Sequence, residues 1–408
     1  MSPGSVFFLP NGTKLINKLI SFMKLQQSKQ EFEEVITPLI YKKRLWEISG
    51  HWENYKNDMF KVEGNDLAED ELTEDSQYGL KPMNCPGHCL IFSRFDRSHN
   101  ELPIRYSDYS SLHRNETSGS LTGLTRVRRF HQDDGHIFCT QEQIFEEIDK
   151  TLKLINLCYR VFDLNDYELY LSTRPEKFIG KLEEWCLAEE NLKKVLDRTG
   201  KKWTIREGDG AFYGPKIDVL LTDNFGKKHQ VGTIQLDFQL PQRFDLKYRD
   251  DIGNFKRPIM IHRAIYGSLE RFLALLIDHY QGKWPFWLNP KQCVIIPINN
   301  EKHLDRALEL QQQLSGNMIK DSNQENIFEN PSNLTNYKFE VDVDKRNETV
   351  GLRIKDSVSK AYNYIILIGD KELETGEVSI RSRSSKSIKT MTVEAVFNMF
   401  KTLEDNYE

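Results

Sequence analysis

Apolar residues along this chain recur first at a helical and then at a strand period, and the changes of period divide it into elements. Over Thr13–Phe32, Leu15, Ile16, Leu19, Ile20 and Met23 share one helical face, and Thr13 is placed to cap the start. EEVITPLI (Glu33 to Ile40) predicts a strand closed by Pro38, which confines it to a sheet edge or an interface. Asn57 to Asp75 is acidic and poor in apolar residues, which predicts a loop. LKPMNCPGHCLIF passes from extended chain to helix at Pro86, whose fixed φ suits a first turn. Two long strands are then predicted on either side of a turn at Asn115–Gly123.

Further on, residues 141–162 form an amphipathic helix on Ile144, Ile148, Leu152, Ile155 and Tyr159. Lys181 to Thr199 forms another, stopped by Gly200. Strand patterns follow from Trp203 to Phe238 around the glycines of GDGAFYGPK; PIMIHRAIYG is strand-like and SLERFLALLIDHY helical. Strands here succeed one another without helical crossovers, so this body is α+β with a mostly antiparallel sheet in its second half. After Trp284-Pro285 strands alternate with helices: CVIIPI, helix 301–314, FEVDV, helix 350–360, YNYIILIG, a hairpin-like VSIRSR and helix 392–404. That grammar predicts a separate small α/β domain. An Asn-rich stretch near 316–336 reads as an insertion within it.

Composition narrows the function. The net charge of −5 announces neither nucleic acid nor an anionic membrane, so any RNA contact must come from local patches. Mean hydropathy is −0.59, and no apolar run approaches a membrane span. Cys85, Cys89, Cys139, Cys158, Cys186 and Cys293 show no CxxC and no framework spacing, which favours a reducing compartment. Apolar VFFLP follows the start at once, so no signal or transit segment is expected ahead of the fold.

The densest chemistry lies between His113 and Cys139. Arg114, Arg126, Arg128 and Arg129 crowd beside Asp133 and Asp134 on segments that read as strands, and buried charges of this density need partners. Arg114 and Arg126 can face each other on paired strands, and Arg271 stands on a helix just past Gly267-Ser268. Three guanidiniums from separate elements could clamp a triphosphate, or form a solvated basic face. Arg128 and Arg129 cannot both point inward from one strand. Asp133 and Asp134 alternate, so one faces a pocket and the other its far side. Cys85, His136 and His262 are possible metal ligands without a short ligand motif; a buried thiol and two hydrogen-bonded histidines would look the same. His51 could carry a proton or lie capped at the surface. Phe130 could stack on a base or fill core.

MNCPGH, HRNE, LTRVRRFHQDDGHIFC, GAFYGPKID, VGTIQLDF and IHRAIYGSLERF, in this order and spacing, resemble threonyl-tRNA synthetases. The resemblance runs from SPGSVFFLPNG to DKRNETVGLRI and IGDKELETGEVSIRSR. It implies a class II antiparallel sheet flanked by helices over residues 1–288 and an α/β anticodon-binding domain over 289–408. The implied activity is joining threonine, through its adenylate, to tRNA(Thr) at the expense of ATP with Mg²⁺. Cys85, His136 and His262 are then ligands of a catalytic Zn²⁺, and Asp134, Gln132, Tyr213 and Gln235 contact threonine. Arg114, Arg126 and Arg271 hold phosphates, Phe130 stacks on adenine and Glu116 reads its amine. Gln230, Thr233 and Ser268 border the nucleotide, Lys216 lies near the reacting phosphate, and His51 deprotonates the tRNA ribose. Asn347, Glu372 and Arg381 match positions that touch anticodon bases.

The resemblance also implies a homodimer paired through the Pro38 strand. The chain begins at the catalytic domain, which suggests a mitochondrial matrix enzyme, a trimmed cytoplasmic one being the alternative. No segment is left over for hydrolytic editing of seryl-tRNA. Gly135 stands where the family often has alanine, a change expected to matter little. Two further readings are a synthetase-like protein that binds without charging and a related ligase for another amino acid. ATP–pyrophosphate exchange separates the first from an enzyme, and charging with each amino acid separates the second.

Overall fold

The computed structural model describes residues 2–63, 77–316 and 337–408. Most of the acidic stretch expected as a loop and nearly all of the Asn-rich stretch fall outside them. The chain divides into two compact units, Met1–Leu9 with Ile16–His279 and Pro10–Leu15 with Tyr280–Glu408.

The first unit is built on an eight-stranded sheet. Its spatial order is Glu33–Glu34, Ile104–Asp108, Asp134–Cys139, Ile259–Ala264, Lys228–Asp237, Lys216–Thr222, Tyr167–Ser172 and Trp203–Arg206. Central strands are buried on both faces: every residue of Asp134–Cys139 and of Ile259–Ala264 is buried. Neighbours are antiparallel except at the two edges. Tyr167–Ser172 and Trp203–Arg206 run parallel because the helix Leu182–Arg198 carries the chain back between them. The helices Ile144–Val161 and Leu269–Tyr280 meet through Tyr159 and Phe272, whose ring centroids stand 6.2 Å apart. Phe272 is fully buried, so truncating it to alanine costs about 3–5 kcal/mol.

Four local expectations are corrected. The first helix is Pro10–Ser28, not Thr13–Phe32: Pro10 opens it and Thr13 lies inside. EEVITPLI is not one strand: Glu33–Glu34 sits at the sheet edge, and Ile40 opens a separate strand, Ile40–Lys42, in another sheet. Thr37 instead gives its N–H and hydroxyl to the Asp108 carboxylate, which draws the chain out of the ladder. The two long strands around Asn115–Gly123 are absent as such; Leu112–His113 and Arg129–Phe130 are short and pair with each other. The Arg114 N–H meets the Arg128 carbonyl, so Arg114 does not stand opposite Arg126 on paired strands. An added Cβ at Gly135 would come within 2.8 Å of the buried end of the Arg263 side chain, so alanine there requires that guanidinium to shift.

The second unit holds a five-stranded sheet in the order Val341–Val343, Cys293–Pro297, Tyr364–Ile368, Glu377–Ser382, Lys389–Thr392. The first three are parallel and joined by the helices Asn300–Leu314 and Val350–Ser359; the rest are antiparallel. The short helix Asp370–Thr375 and the strand Lys389–Thr392 carry too little apolar pattern to be read in advance. Among the described residues no helix is long and apolar enough to cross a membrane.

Candidate active site

A cavity of about 570 Å³ opens in the first unit. Arg114, Arg126 and Arg271 all line it. Arg271 is tied down by the carbonyls of Thr125 and Gln230, both at 2.9 Å from its guanidinium nitrogens. Burial, and then the charges of Arg114 and Arg126, push the Arg271 pKa down from its ordinary value. Three like charges this close are a standing demand for an anion. Arg126 is partly answered by Glu116, 2.8 Å away, so Glu116 is engaged with a cation rather than free. The Arg114 guanidinium lies 5.0 Å over the Phe130 ring. Gln132 and Ser268 also line the cavity and are joined by an antiparallel bridge.

On another wall the strands Lys216–Thr222 and Lys228–Asp237 present Lys216, Gln230 and Thr233. All three point at one carboxylate, Asp218: Lys216 at 2.6 Å, Gln230 at 2.5 Å and Thr233 at 3.4 Å, with Ser172 at 2.8 Å behind. Asp218 lies within GAFYGPKID, where the motif alone does not single it out. Its position two residues after Lys216, on the same strand face, was the available signal.

Cys85, Asp134, Tyr213, Gln235 and His262 line the cavity too. Cys85 opens the helix Cys85–Ser93, and His136 and His262 stand directly opposite each other on paired strands. One donor atom from each of these three buried residues lies within 4.8 Å of the others. His262 Nε2 faces the Asp237 carboxylate at 2.8 Å, and His136 Nδ1 faces His88 at 2.8 Å. With protons on those outer nitrogens, His136 Nε2 and His262 Nδ1 confront each other at 3.0 Å with lone pairs. In that tautomer a proton or a metal cation between them relieves the repulsion. Burial pushes the His136 pKa well below its ordinary value, which disfavours the proton. One soft thiol and two imidazoles suit Zn²⁺.

Asp133 and Asp134 divide as their alternation requires. Asp133 accepts the backbone N–H groups of Ile265, Tyr266 and Gly267 at 2.7–3.0 Å and is structural. Asp134 faces the cavity and accepts from Asn84 at 3.1 Å. Burial raises its pKa, against the pull of His88, His262 and Asn84. Asn84, Asp218 and Asp237 are site residues that sequence reasoning missed. Arg128 and Arg129 both turn to local partners, Glu116 and Ser111.

His51 is not brought to the cavity wall. It is 2 % exposed, not a surface residue, with Nδ1 at 2.8 Å from Ser49 and Nε2 at 3.2 Å from Met83, which does line the cavity. Burial lowers its pKa to about 4, well away from a base poised near neutrality. Asn347, Glu372 and Arg381 lie in the second unit. Asn347 is exposed; Glu372 is buried and accepts from Ser379 at 2.7 Å and the Gly369 N–H at 2.9 Å. Arg381 has a buried Nε without a partner.

The chain matches two family models, a tRNA synthetase class II core domain (G, H, P, S and T) over residues 60–280 and an anticodon binding domain over 292–403. It is 55 % identical to the mitochondrial threonine–tRNA ligase of Saccharomyces cerevisiae, across 100 % of this chain and 88 % of that protein. It is 48 % identical to a probable mitochondrial threonine–tRNA ligase of Schizosaccharomyces pombe, across 98 % and 85 %. A solved structure described as the RNA binding domain of threonyl-tRNA synthetase from Cryptosporidium parvum superposes with a TM-score of 0.87. It is 42 % identical, and the match covers 99 % of this chain and 94 % of that one.

Proposed function

The chain belongs to the threonyl-tRNA synthetases, class II ligases that join threonine to tRNA(Thr) with ATP, and we propose how its residues divide that work. Arg114, Arg126 and Arg271 hold the triphosphate, which arrives with Mg²⁺. Phe130 stacks on adenine, and Glu116 meets its amine once a phosphate takes over Arg126. Gln230, Thr233 and Ser268 border the nucleotide, and Lys216 neutralises the reacting phosphate. Asp134, Gln132, Tyr213 and Gln235 surround threonine. Cys85, His136 and His262 hold a Zn²⁺. Bound there, the metal would supply a Lewis acid for the polar groups of the amino acid.

The threonine carboxylate attacks the α-phosphorus of ATP and pyrophosphate leaves. Negative charge grows on the phosphate oxygens, and the Arg271 guanidinium, already fixed by the Thr125 and Gln230 carbonyls, stabilises it without reorganising. The ribose hydroxyl of tRNA then attacks the adenylate carbonyl, AMP leaves, and the hydroxyl proton needs an acceptor. His51 takes this role only if its ring leaves the gap between Ser49 and Met83. A valine side chain would leave Asp134 and the metal without the hydroxyl they receive. Sites of this kind reject such analogues by about 10⁴-fold or more.

One observation carries the reading: the cation cluster and the Cys85–His262–Asp134 group line the same cavity. The test is Cys85→Ala. Metal and threonine-dependent ATP–pyrophosphate exchange should fall together, with ATP binding retained; exchange at the parental rate would sink the assignment.

We assign residues 1–288 to aminoacylation and 289–408 to anticodon recognition, with Asn347, Glu372 and Arg381 reading bases. Pairing of two chains through the edge at Glu33–Ile40 is supported by Ile36, which is 84 % exposed; light scattering on the purified chain would decide it. A mitochondrial matrix location is supported by the two relatives from yeasts, with the cytoplasm as the alternative; cell fractionation distinguishes them.

A further inference from the structure

The histidine that ends MNCPGH has no part in the reaction above, yet it is 0 % exposed and touches the metal group. His88 Nδ1 lies 2.8 Å from His136 Nδ1, with the two rings edge-on at 4.7 Å. On its other side His88 Nε2 points toward Asp108 Oδ2 at 3.9 Å, and that nitrogen has no hydrogen-bond partner. Asp108 is not free to turn away. It accepts from the Thr37 N–H at 3.1 Å, the Thr37 hydroxyl at 2.6 Å, and the Ser110 N–H at 2.7 Å and hydroxyl. The Lys81 ammonium lies 3.5 Å from it.

Two facing Nδ1 atoms can share one proton, and its owner decides what His136 can do. If His88 donates, the His136 proton moves to Nε2 and blocks the atom that faces His262. If His136 donates, its Nε2 lone pair is free. The fixed Asp108 carboxylate, which can only accept, favours the His88 proton on Nε2 and so leaves His88 Nδ1 as the acceptor. We propose that His88 is a positioning residue for the metal: it accepts the His136 Nδ1–H and keeps Nε2 of His136 aimed at the ion. His262 has a carboxylate, Asp237, against its outer nitrogen; His136 has a second imidazole, backed in turn by a carboxylate. Partners of this kind hold a ligand's ring and tautomer in place.

This proposal rests on the zinc reading above, and two variants test it separately. His88→Asn keeps a side-chain amide where Nδ1 stands; His88→Gln places one where Nε2 stands and leaves His136 without its acceptor. Purified parent and variants are loaded with zinc, and release to a chelator is timed; cobalt-loaded forms give the visible spectrum of the site. His88→Gln should bind zinc about 10–100-fold more weakly, shift the cobalt spectrum and raise the KM for threonine but not for ATP. His88→Asn should restore most of each. The proposal is overturned if both variants retain metal like the parent. It is equally overturned if both lose metal to the same degree along with melting temperature, since that marks a packing role. A parent that binds no zinc even on reconstitution brings down the zinc reading itself, and this proposal with it.

Discussion

Asp108 is a residue whose charge the fold cannot spare. Burial favours its protonated form, but hydrogen bonds from Ser110 and Thr37, the His88 ring and the Lys81 ammonium outweigh it. Its carboxyl is therefore held well below the usual carboxylate range. The His88 contribution at 3.9 Å is electrostatic, since that distance exceeds a hydrogen bond. A depressed carboxyl pKa means that the unfolded chain binds the proton more tightly. The stability it contributes is thus complete above the unfolded value near ~4 and is lost as pH falls toward the folded one. Asp108→Asn leaves Lys81 buried without a counter-charge, so it should lower stability at pH 7 by about 3–5 kcal/mol. That deficit should shrink below about pH 4. Melts of parent and variant across this range check it, and an equal deficit at both ends would show that the charge is irrelevant. At this scale the sequence was legible where chemistry is unusual. Arg114, Cys85, His262 and Asp134 stand out because charges and soft ligands on strand patterns need partners. Asn84, His88, Asp218 and Asp237 did not, because their work is to hold other side chains, and alternation along a strand shows only a face.

Among elements, long amphipathic helices were readable. Ile144–Val161 and Leu182–Arg198 lie within a few residues of their expected bounds, since their periodic faces are the ones buried. The strands around Asn115–Gly123 were not, because Arg114, Glu116, Thr122 and Arg126 spend hydrogen bonds on each other and on local carbonyls, which breaks a ladder that composition suggested. Pairing between Lys216–Thr222 and Lys228–Asp237 also carries an irregularity invisible in sequence, a register shift between Asp218 and Leu220. Bulges of this sort re-aim side chains near sites. Here Asp218 gathers Lys216, Gln230 and Thr233. Asp218→Ala should release all three, raising the KM for ATP in pyrophosphate exchange while zinc content stays at the parental level. The orphaned groups should cost about 1–3 kcal/mol of stability. An unchanged KM for ATP would show that the three side chains are placed without it.

For the whole molecule, the change of strand grammar after Trp284-Pro285 was the clearest signal. It falls near the start of the second unit at Tyr280, and the anticodon binding model begins at 292. What pattern could not supply is the convergence of residues as far apart as Cys85 and His262 on one cavity, because sheet order brings them together and sequence order does not. On the proposed reading this cavity takes ATP on its arginines and selects threonine with a metal held by Cys85, His136 and His262. The most direct measurement is elemental analysis of purified chain that is active in threonine-dependent pyrophosphate exchange, before and after chelation. About one zinc per chain, with exchange lost on removal and regained on return of zinc, is the predicted result. Full exchange activity in protein stripped of metal would contradict it.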